Sequence, residues 1–253
     1  MRRAALCLAA LCALLVANPA AAEPAADCAA KVTGATYGTP TDRYRHGALG
    51  DPWEWASLEV SFSRPRRCGP DQARASVVLP VNLVFEDVAP KLVDLDGDGE
   101  PEILTVESHR RLGARLAIYK HVSGQIRRVA TTAHIGHANR WLAQIGAADL
   151  DGDGRMEIAY IDRPHLAKTL RIWRYEGGVL ALVAEAPGLS NHRFADPTIT
   201  GGLRDCGTGP EIITADADWH HVMASRLNKG RIESRALAHT PSPDGFAAAL
   251  ACR

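Results

Sequence analysis

The stretch that decides the fold is DLDGDGEPEI, residues 94–103, which returns as DLDGDGRMEI at residues 149–158. In both copies aspartates occupy positions 1, 3 and 5, a glycine occupies position 6 and a glutamate occupies position 9. Alternating oxygen ligands with a glycine at the turn are typical of a chain that wraps around Ca²⁺. The repeated motif therefore predicts two calcium loops.

These loops differ from EF-hands in both their ligands and their flanks. An EF-hand needs a bidentate glutamate at position 12, where this chain has Thr105 and Tyr160. The flanking segments APKLV, EILTV, IGAA and EIAYI are short apolar runs, mostly rich in β-branched residues, which are typical of strands. We therefore expect each loop to join two antiparallel strands.

Three aspartates, one backbone carbonyl and the glutamate at position 9 would complete each site. The two predicted sets are Asp94, Asp96, Asp98, the carbonyl of Glu100 and Glu102, and Asp149, Asp151, Asp153, the carbonyl of Arg155 and Glu157. The alternative is a solvated acidic turn, because Asp-Gly is itself a turn signal. Like charges ~4 Å apart repel by roughly 1 kcal/mol even in water, so two copies of this spacing favour about two bound calcium ions.

The acidic loops belong to a longer repeat. Asp94 and Asp149 are 55 residues apart, and one further step reaches GGLRDCGTGPEI, residues 201–212. This third loop keeps the Pro-Glu-Ile ending but loses most acidic positions, so we expect no metal there. Each loop is followed by a second strand, RLAIYKH, TLRIWRY or HVMASRL, and then by a glycine turn and a third strand. A period that holds four short strands predicts propeller blades.

With these two DLDGDGxxEI loops, the chain resembles the FG-GAP or VCBS repeat family over roughly residues 83–240. The resemblance implies an integrin-α-like β-propeller with calcium loops on one face and ligand bound on the other. It implies little about activity, because the family includes adhesion heads, surface-binding modules and propellers attached to enzymes. Two features depart from the family: glutamate stands at position 9, where aspartate is usual, and the chain is too short for seven blades.

The expected fold class is all-β, a β-propeller of about four blades in a single domain over residues 23–253. A degenerate unit is expected at about 40–81, where Gly50, Asp51 and Glu54 are remnants of the loop, and full blades at about 83–134, 138–189 and 193–240. An incomplete ring that a partner closes is the alternative.

Residues 1–22 have the pattern of a secretory signal peptide. Two arginines precede an apolar run, Ala4–Val16, and an A-x-A cleavage site ends at Ala22. The run is shorter than the ~20 residues that span a bilayer, so we expect a secreted or periplasmic protein without membrane insertion. The formal net charge is zero and the basic residues are scattered, which argues against nucleic acid as a partner.

Four cysteines remain after the signal peptide: Cys28, Cys68, Cys206 and Cys252. In an exported chain they suggest two disulfides, and the sequence allows three pairings. Pairing Cys28 with Cys68 and Cys206 with Cys252 is preferred, because each bond then ties one chain end to a nearby unit.

Histidines also recur with the repeat, some after the loops and some before them. Both sets are expected at the strand ends opposite the calcium loops, on a face formed by His109, His137, Arg140, Trp141, His165, His192, Trp219 and His220. Three interpretations are open: unrelated polar loops, a surface that recognises a ligand through tryptophan stacking and arginine, or a transition-metal site.

The chain contains no G-x-S-x-G, H-E-x-x-H or phosphate-loop motif. A binding or interaction module with an unidentified protein or carbohydrate ligand is therefore favoured over an enzyme. The alternative is a metal-dependent hydrolase or lyase that uses the histidine-rich face. The two hypotheses differ in metal content, because only the enzyme needs a second, softer ion.

Overall fold

The computed structural model describes residues 30–63 and 72–253. Within these ranges the protein is all-β apart from one short helix, which confirms the all-β part of the expected fold class. No described helix has the length and apolar character that a membrane crossing needs. The predicted signal peptide, Cys28 and Cys68 lie outside the described residues. The elements are β1 Lys31–Thr41, β2 Glu54–Ser63, β3 Gln72–Val78, β4 Leu83–Phe85, β5 Lys91–Val93, β6 Glu102–His109, β7 Gly113–Val122, β8 Gln125–Thr131, β9 Leu142–Ala148, β10 Glu157–Asp162, β11 Thr169–Glu176, β12 Val179–Pro187, β13 Leu189–Ser190, β14 Gly202–Asp205, β15 Pro210–Asp216, β16 Val222–Asn228, β17 Arg231–Ala236 and α1 Pro243–Leu250.

The third unit, β9–β12, is an antiparallel meander of four strands. Its inner strand β10 is buried along its whole length, whereas its outer strand β12 is mostly exposed or half-buried. The hairpin from β11 to β12 turns on Gly177 and Gly178, whose φ angles are 57° and 83°. Positive φ at both central residues is the requirement of a type I′ turn, so glycine there matches the twist of the strands.

The second and fourth units repeat this meander with an interrupted first strand. In the second unit, β4 and β5 both pair with β6; in the fourth, β13 and β14 both pair with β15. The chain leaves the sheet between them, at residues 86–90 and 191–201. In the third unit the same place holds only a register shift, at Ile145. The two segments that leave the sheet in the second and fourth units contain the buried polar residues Glu86, Asp87, Asn191 and His192.

The first unit, β1–β3, does not form a separate sheet. Trp55 of β2 pairs with Phe85 of β4, so the first two units share one eight-stranded sheet. Strand β1 begins at Lys31, ahead of the start near residue 40 that the sequence predicted. The loop motif is degenerate in this unit, and without that motif no sequence signal marks the first strand.

Each unit buries its apolar residues against a neighbour. Side chains such as Leu116 and Tyr160 share a core between the second and third units, and Ile172 and Ile212 share another between the third and fourth. Helix α1, whose Phe246 is buried, covers the last sheet. Cores that two neighbouring units share are the behaviour of a stacked repeat.

Candidate functional site

Carboxylates converge in both acidic loops. The side-chain oxygens of Asp94, Asp96 and Glu102 lie within 4.8 Å of one another, and Asp149, Asp151 and Glu157 repeat the arrangement. Both glutamates are fully buried, and this burial raises the pKa of each carboxyl group. The oxygen donors that converge here are those that a hard cation such as Ca²⁺ prefers.

The backbone holds the two loops in the same conformation. In the first loop, the amides of Gly97 and Gly99 donate to the carboxylate of Asp94 over 2.8 and 2.9 Å. The corresponding pair in the second loop, Gly152 and Gly154, donates to Asp149 over the same distances. The aspartate at position 1 therefore organises the turn as well as offering ligand oxygens.

Positions 5 and 7 are placed differently from the converging carboxylates. Asp98 and Asp153 accept the amides of Glu100 and Arg155, over 2.9 and 3.0 Å, and neither belongs to the group of three. The Glu100 side chain turns away and accepts the amide of Val32 in the first unit, over 2.9 Å. The Glu100 side chain is thus engaged elsewhere, and its backbone carbonyl stays the predicted ligand at position 7.

A basic side chain reaches into each loop from the neighbouring strand. The Lys120 ammonium lies 2.5 Å from Asp96, 2.9 Å from Asp98 and 2.5 Å from Glu102. In the second loop, Arg174 lies 3.0 Å from Asp151 and also pairs with Glu157. The basic side chain thus supplies a counter-charge to the same oxygens that a divalent ion would bind.

The sequence reasoning missed these two cations, although a signal was present. The basic residue is the sixth letter of each second strand, in RLAIYKH, TLRIWRY and HVMASRL. Glu157 is directly opposite Arg174 in the register of β10 and β11. Cross-strand neighbours lie about 5 Å apart, so the repeated position places a positive charge beside each loop glutamate.

The third loop is neutralised by arginines. Glu211, almost fully buried, accepts hydrogen bonds from Arg204, Arg226 and Arg235 over distances of 2.5 to 2.9 Å. Burial alone would raise the pKa of Glu211, but the three guanidinium groups outweigh it and lower the pKa to about 2. Cys206 of this loop forms a disulfide with Cys252, with the Cα atoms 5.7 Å apart.

A pocket of about 200 Å³ lies at the strand ends opposite the acidic loops. Every unit or its flanking loop contributes to the lining, which consists of His46, Asn139, Arg140, Trp141, Arg163, His165, Leu166 and Phe194. The loop of the first unit reaches the fourth directly, because the Ala195 amide donates to the Ala48 carbonyl over 3.0 Å. The pocket is thus a product of the whole arrangement of units.

Hydrogen bonds fix the imidazoles of the pocket. His46 Nδ1 lies 2.5 Å from the carboxylate of Glu86, a fully buried residue that also accepts from Ser108. His165 Nε2 lies 2.8 Å from His192 Nδ1, and His192 Nε2 lies 2.8 Å from the Asp196 carbonyl. A carbonyl only accepts, so His192 Nε2 carries a proton and His165 Nε2 donates to His192.

Two further buried carboxyl groups, Glu54 and Asp87, lie near Glu86. Burial, with the nearby charge of Glu86, raises the pKa of Glu54 to about 10. Burial also raises the pKa of Asp87 to about 7, although a hydrogen bond from Gln144 opposes the shift. Glu54 is therefore neutral at pH 7.

The predicted histidine face is only partly brought together. Arg140, Trp141 and His165 line the pocket, and His192 contacts the ring of His165 through a hydrogen bond. The other predicted residues lie elsewhere: His109 packs on His134, Trp219 lies under Arg193 and edge-to-face with Phe246, and His137 and His220 are exposed. His46 and Phe194 were missed, because neither falls on the repeated positions.

Comparisons with known proteins give a family-model match and distantly similar solved structures. Residues 94–160 match the FG-GAP-like repeat, which confirms the resemblance for this part of the chain. A comparison with curated proteins finds no match. Among solved structures, the crystal structure of exotype rhamnogalacturonan lyase YesX is similar at 13% identity and a TM-score of 0.42, over 80% of this chain. The chain spans about half of that protein, 48% of its length.

Proposed function

We propose, from the FG-GAP-like repeat that residues 94–160 carry, that this protein is an exported calcium-binding β-propeller of about four blades. It acts as a binding module whose metal loops stabilise one face and whose ligand, a protein or a carbohydrate, binds at the other. The supporting observation is that two loops 55 residues apart hold three converging carboxylates each in the same backbone conformation. Outside the cell, millimolar Ca²⁺ fills even weak sites of this kind.

The loop carboxylates would hold the ion, and the ion would supply the positive charge that Lys120 and Arg174 provide only in part. The protein's own contribution is to fix the oxygens: backbone amides orient Asp94 and Asp149, and burial excludes water from Glu102 and Glu157. Calcium bound to the folded protein alone stabilises it by about 3 kcal/mol at a hundredfold excess over Kd.

Elemental analysis combined with thermal unfolding tests this proposal on the mature chain. We expect about two calcium per chain and a midpoint that falls when a chelator is added. Asp96→Asn and Asp151→Asn should each remove one ion, whereas Asp205→Asn in the third loop should remove none. A protein that binds no calcium, and whose midpoint ignores the chelator, would refute the metal assignment.

A metal-dependent hydrolase or lyase is the second candidate. It is favoured by His46 and Glu86, because a buried carboxylate that fixes one imidazole nitrogen is the arrangement of a general base or a metal ligand. Among the described residues, groups of three metal-binding side chains occur at the two acidic loops. Stoichiometric zinc or copper in the same elemental analysis, lost in His165→Gln, would make the enzyme the leading hypothesis.

A further inference from the structure

The central pocket combines three kinds of binding group around one small space. The backbone around it is held in the left-handed region at non-glycine residues: φ is 54° at Asn139, 47° at Arg163 and 65° at Ala195. Such conformations persist where the surrounding structure imposes them, and they cluster at ligand sites. The strained residues hold the lining side chains in place.

One ring nitrogen of His46 and one of His165 are available to hydrogen-bond a ligand in the pocket. Glu86 occupies Nδ1 of His46, which leaves Nε2, and the side chain of His46 is 9% exposed. His192 occupies Nε2 of His165, which leaves Nδ1. Burial, with the neighbouring histidines, lowers the pKa of His165 to about 4, so this ring is neutral and its Nδ1 accepts a hydrogen bond. Hydroxyl groups are suitable partners for both nitrogens.

One cation at the rim has no carboxylate beside it. Arg163 is paired with Asp162 over 2.9 Å, but within the described part of the chain Arg140 only donates to the carbonyl of Asn139, over 3.0 Å. A guanidinium group presents five donors in a planar fork that matches a carboxylate. Arg140 therefore favours an anionic group on the ligand.

Apolar side chains complete the lining. Phe194 is 59% exposed and Leu166 is 60% exposed, although both are large hydrophobic residues. The Phe194 ring stands edge-on to His165 and His46, with centroids 5.4 and 6.3 Å apart. A ring-shaped ligand that covers Phe194 would remove this apolar surface from water.

We propose that this pocket binds a single-ring hydroxy acid, a six-membered ring that carries hydroxyl groups and a carboxylate. The carboxylate pairs with Arg140, the hydroxyls meet His46 and His165, and the ring lies against Phe194. The space of about 200 Å³ is below the 300–1,000 Å³ of drug-sized sites, which limits the ligand to about one ring. This inference rests on the proposed function, because it names the ligand class of that binding face.

Calorimetric titration of the mature, calcium-loaded protein tests the ligand class. The probes are glucuronate, for a sugar acid, and 3,4-dihydroxybenzoate, for an aromatic acid; the neutral controls are glucose and 3,4-dihydroxybenzyl alcohol. We expect one acid to bind at least about tenfold more tightly than its neutral counterpart, because a charge-assisted hydrogen bond contributes more than a neutral one. The acid that binds identifies the source of the ligand.

Variants separate this pocket from other surfaces. Arg140→Gln should abolish the preference for the acid, and Phe194→Ala should weaken binding about tenfold. Arg127→Gln, an exposed arginine of β8, should change nothing. Unfolding midpoints and calcium content show that each variant is folded.

The outcomes also separate this inference from the proposed function. No saturable binding of either acid, or binding that Arg140→Gln and Phe194→Ala leave unchanged, would overturn the inference. If calcium still stabilises the protein in that case, the proposed function stands. If an acid binds while calcium does not, the pocket stands and the metal assignment falls.

Discussion

The first two acidic loops and the third loop differ in how the charge of their carboxylates is balanced. In the first loop, Asp96, Asp98 and Glu102 meet one protein cation, Lys120. In the third loop the relation is reversed, because three arginines surround Glu211. The first arrangement leaves negative charge for a divalent ion, and the second leaves none.

The basic residue at the sixth position of each second strand balances the loop charge only in part in two units and completely, with other arginines, in the fourth. Lys120 and Arg174 balance only part of the charge of their loops, whereas Arg226 belongs to a cluster that balances its loop completely. The same position in the repeat therefore accompanies a loop with excess negative charge in two units and a neutralised loop in another. The disulfide to Cys252 adds a covalent tie to the metal-free loop.

The largest expected effect comes from the disulfide of the third loop. Cys206 and Cys252 are 46 residues apart, and closing such a loop stabilises the folded chain by about 4 kcal/mol in the chain-entropy model. The double variant Cys206→Ser and Cys252→Ser should lower the free energy of unfolding by that amount, as urea unfolding measures. Calcium content should not change; a loss of calcium would show that the loops are coupled.

Glu211→Gln is expected to cost about 3 kcal/mol, because it leaves the buried Arg204 without its counter-charge. Chelation of calcium should not alter this loss. The matched variant Glu157→Gln should instead be destabilised, relative to the unsubstituted protein, mainly when calcium is present. Equal calcium dependence in both variants would contradict the distinction between the loops.

Unfolding measured at acid pH tests the role of Glu211 in the third loop directly. The folded pKa of Glu211 is about 2 and the unfolded value is about 4.5, so the folded state binds fewer protons between these values. Its stabilisation is present above pH 4.5 and is lost as the pH falls towards 2. Glu211→Gln should flatten this part of the unfolding curve, and an unchanged slope would show that another group is responsible.

The smallest effect is expected at Lys120. Lys120→Gln should destabilise the calcium-free protein by about 1 kcal/mol, because the loop carboxylates lose a partly exposed counter-charge. It should also tighten calcium binding about tenfold, because the ammonium no longer competes for the same oxygens. Arg127→Gln is the control, and calorimetric calcium titration is the measurement. Unchanged calcium affinity would place Lys120 outside the metal site.

Features that depend on near neighbours in the chain were predictable. The Asp-Gly loops, the apolar strands around them and the glycine turns at Gly124, Gly177–Gly178 and Gly230 all appear where the sequence indicated. Each follows from local rules of backbone conformation and alternating burial. The first unit was less predictable because its loop motif is degenerate.

The pocket was predicted only in part, for a physical reason. Arg140, Trp141 and His165 follow the repeat, so their common face could be inferred from strand direction. His46 and Phe194 reach the pocket on loops outside the repeated positions, and His46 meets Glu86 forty residues away in the chain. No local pattern records such a contact.

The sequence by itself determined an all-β repeat with two acidic loops, because spacing of carboxylates, glycines and apolar residues dictates local conformation. The tertiary structure alone decided which charges meet: Lys120 with Glu102, three arginines with Glu211, and His46 with Glu86. Strand register and the packing of units set these distances. Electrostatic and hydrogen-bond energies depend on distance and burial rather than on separation along the chain.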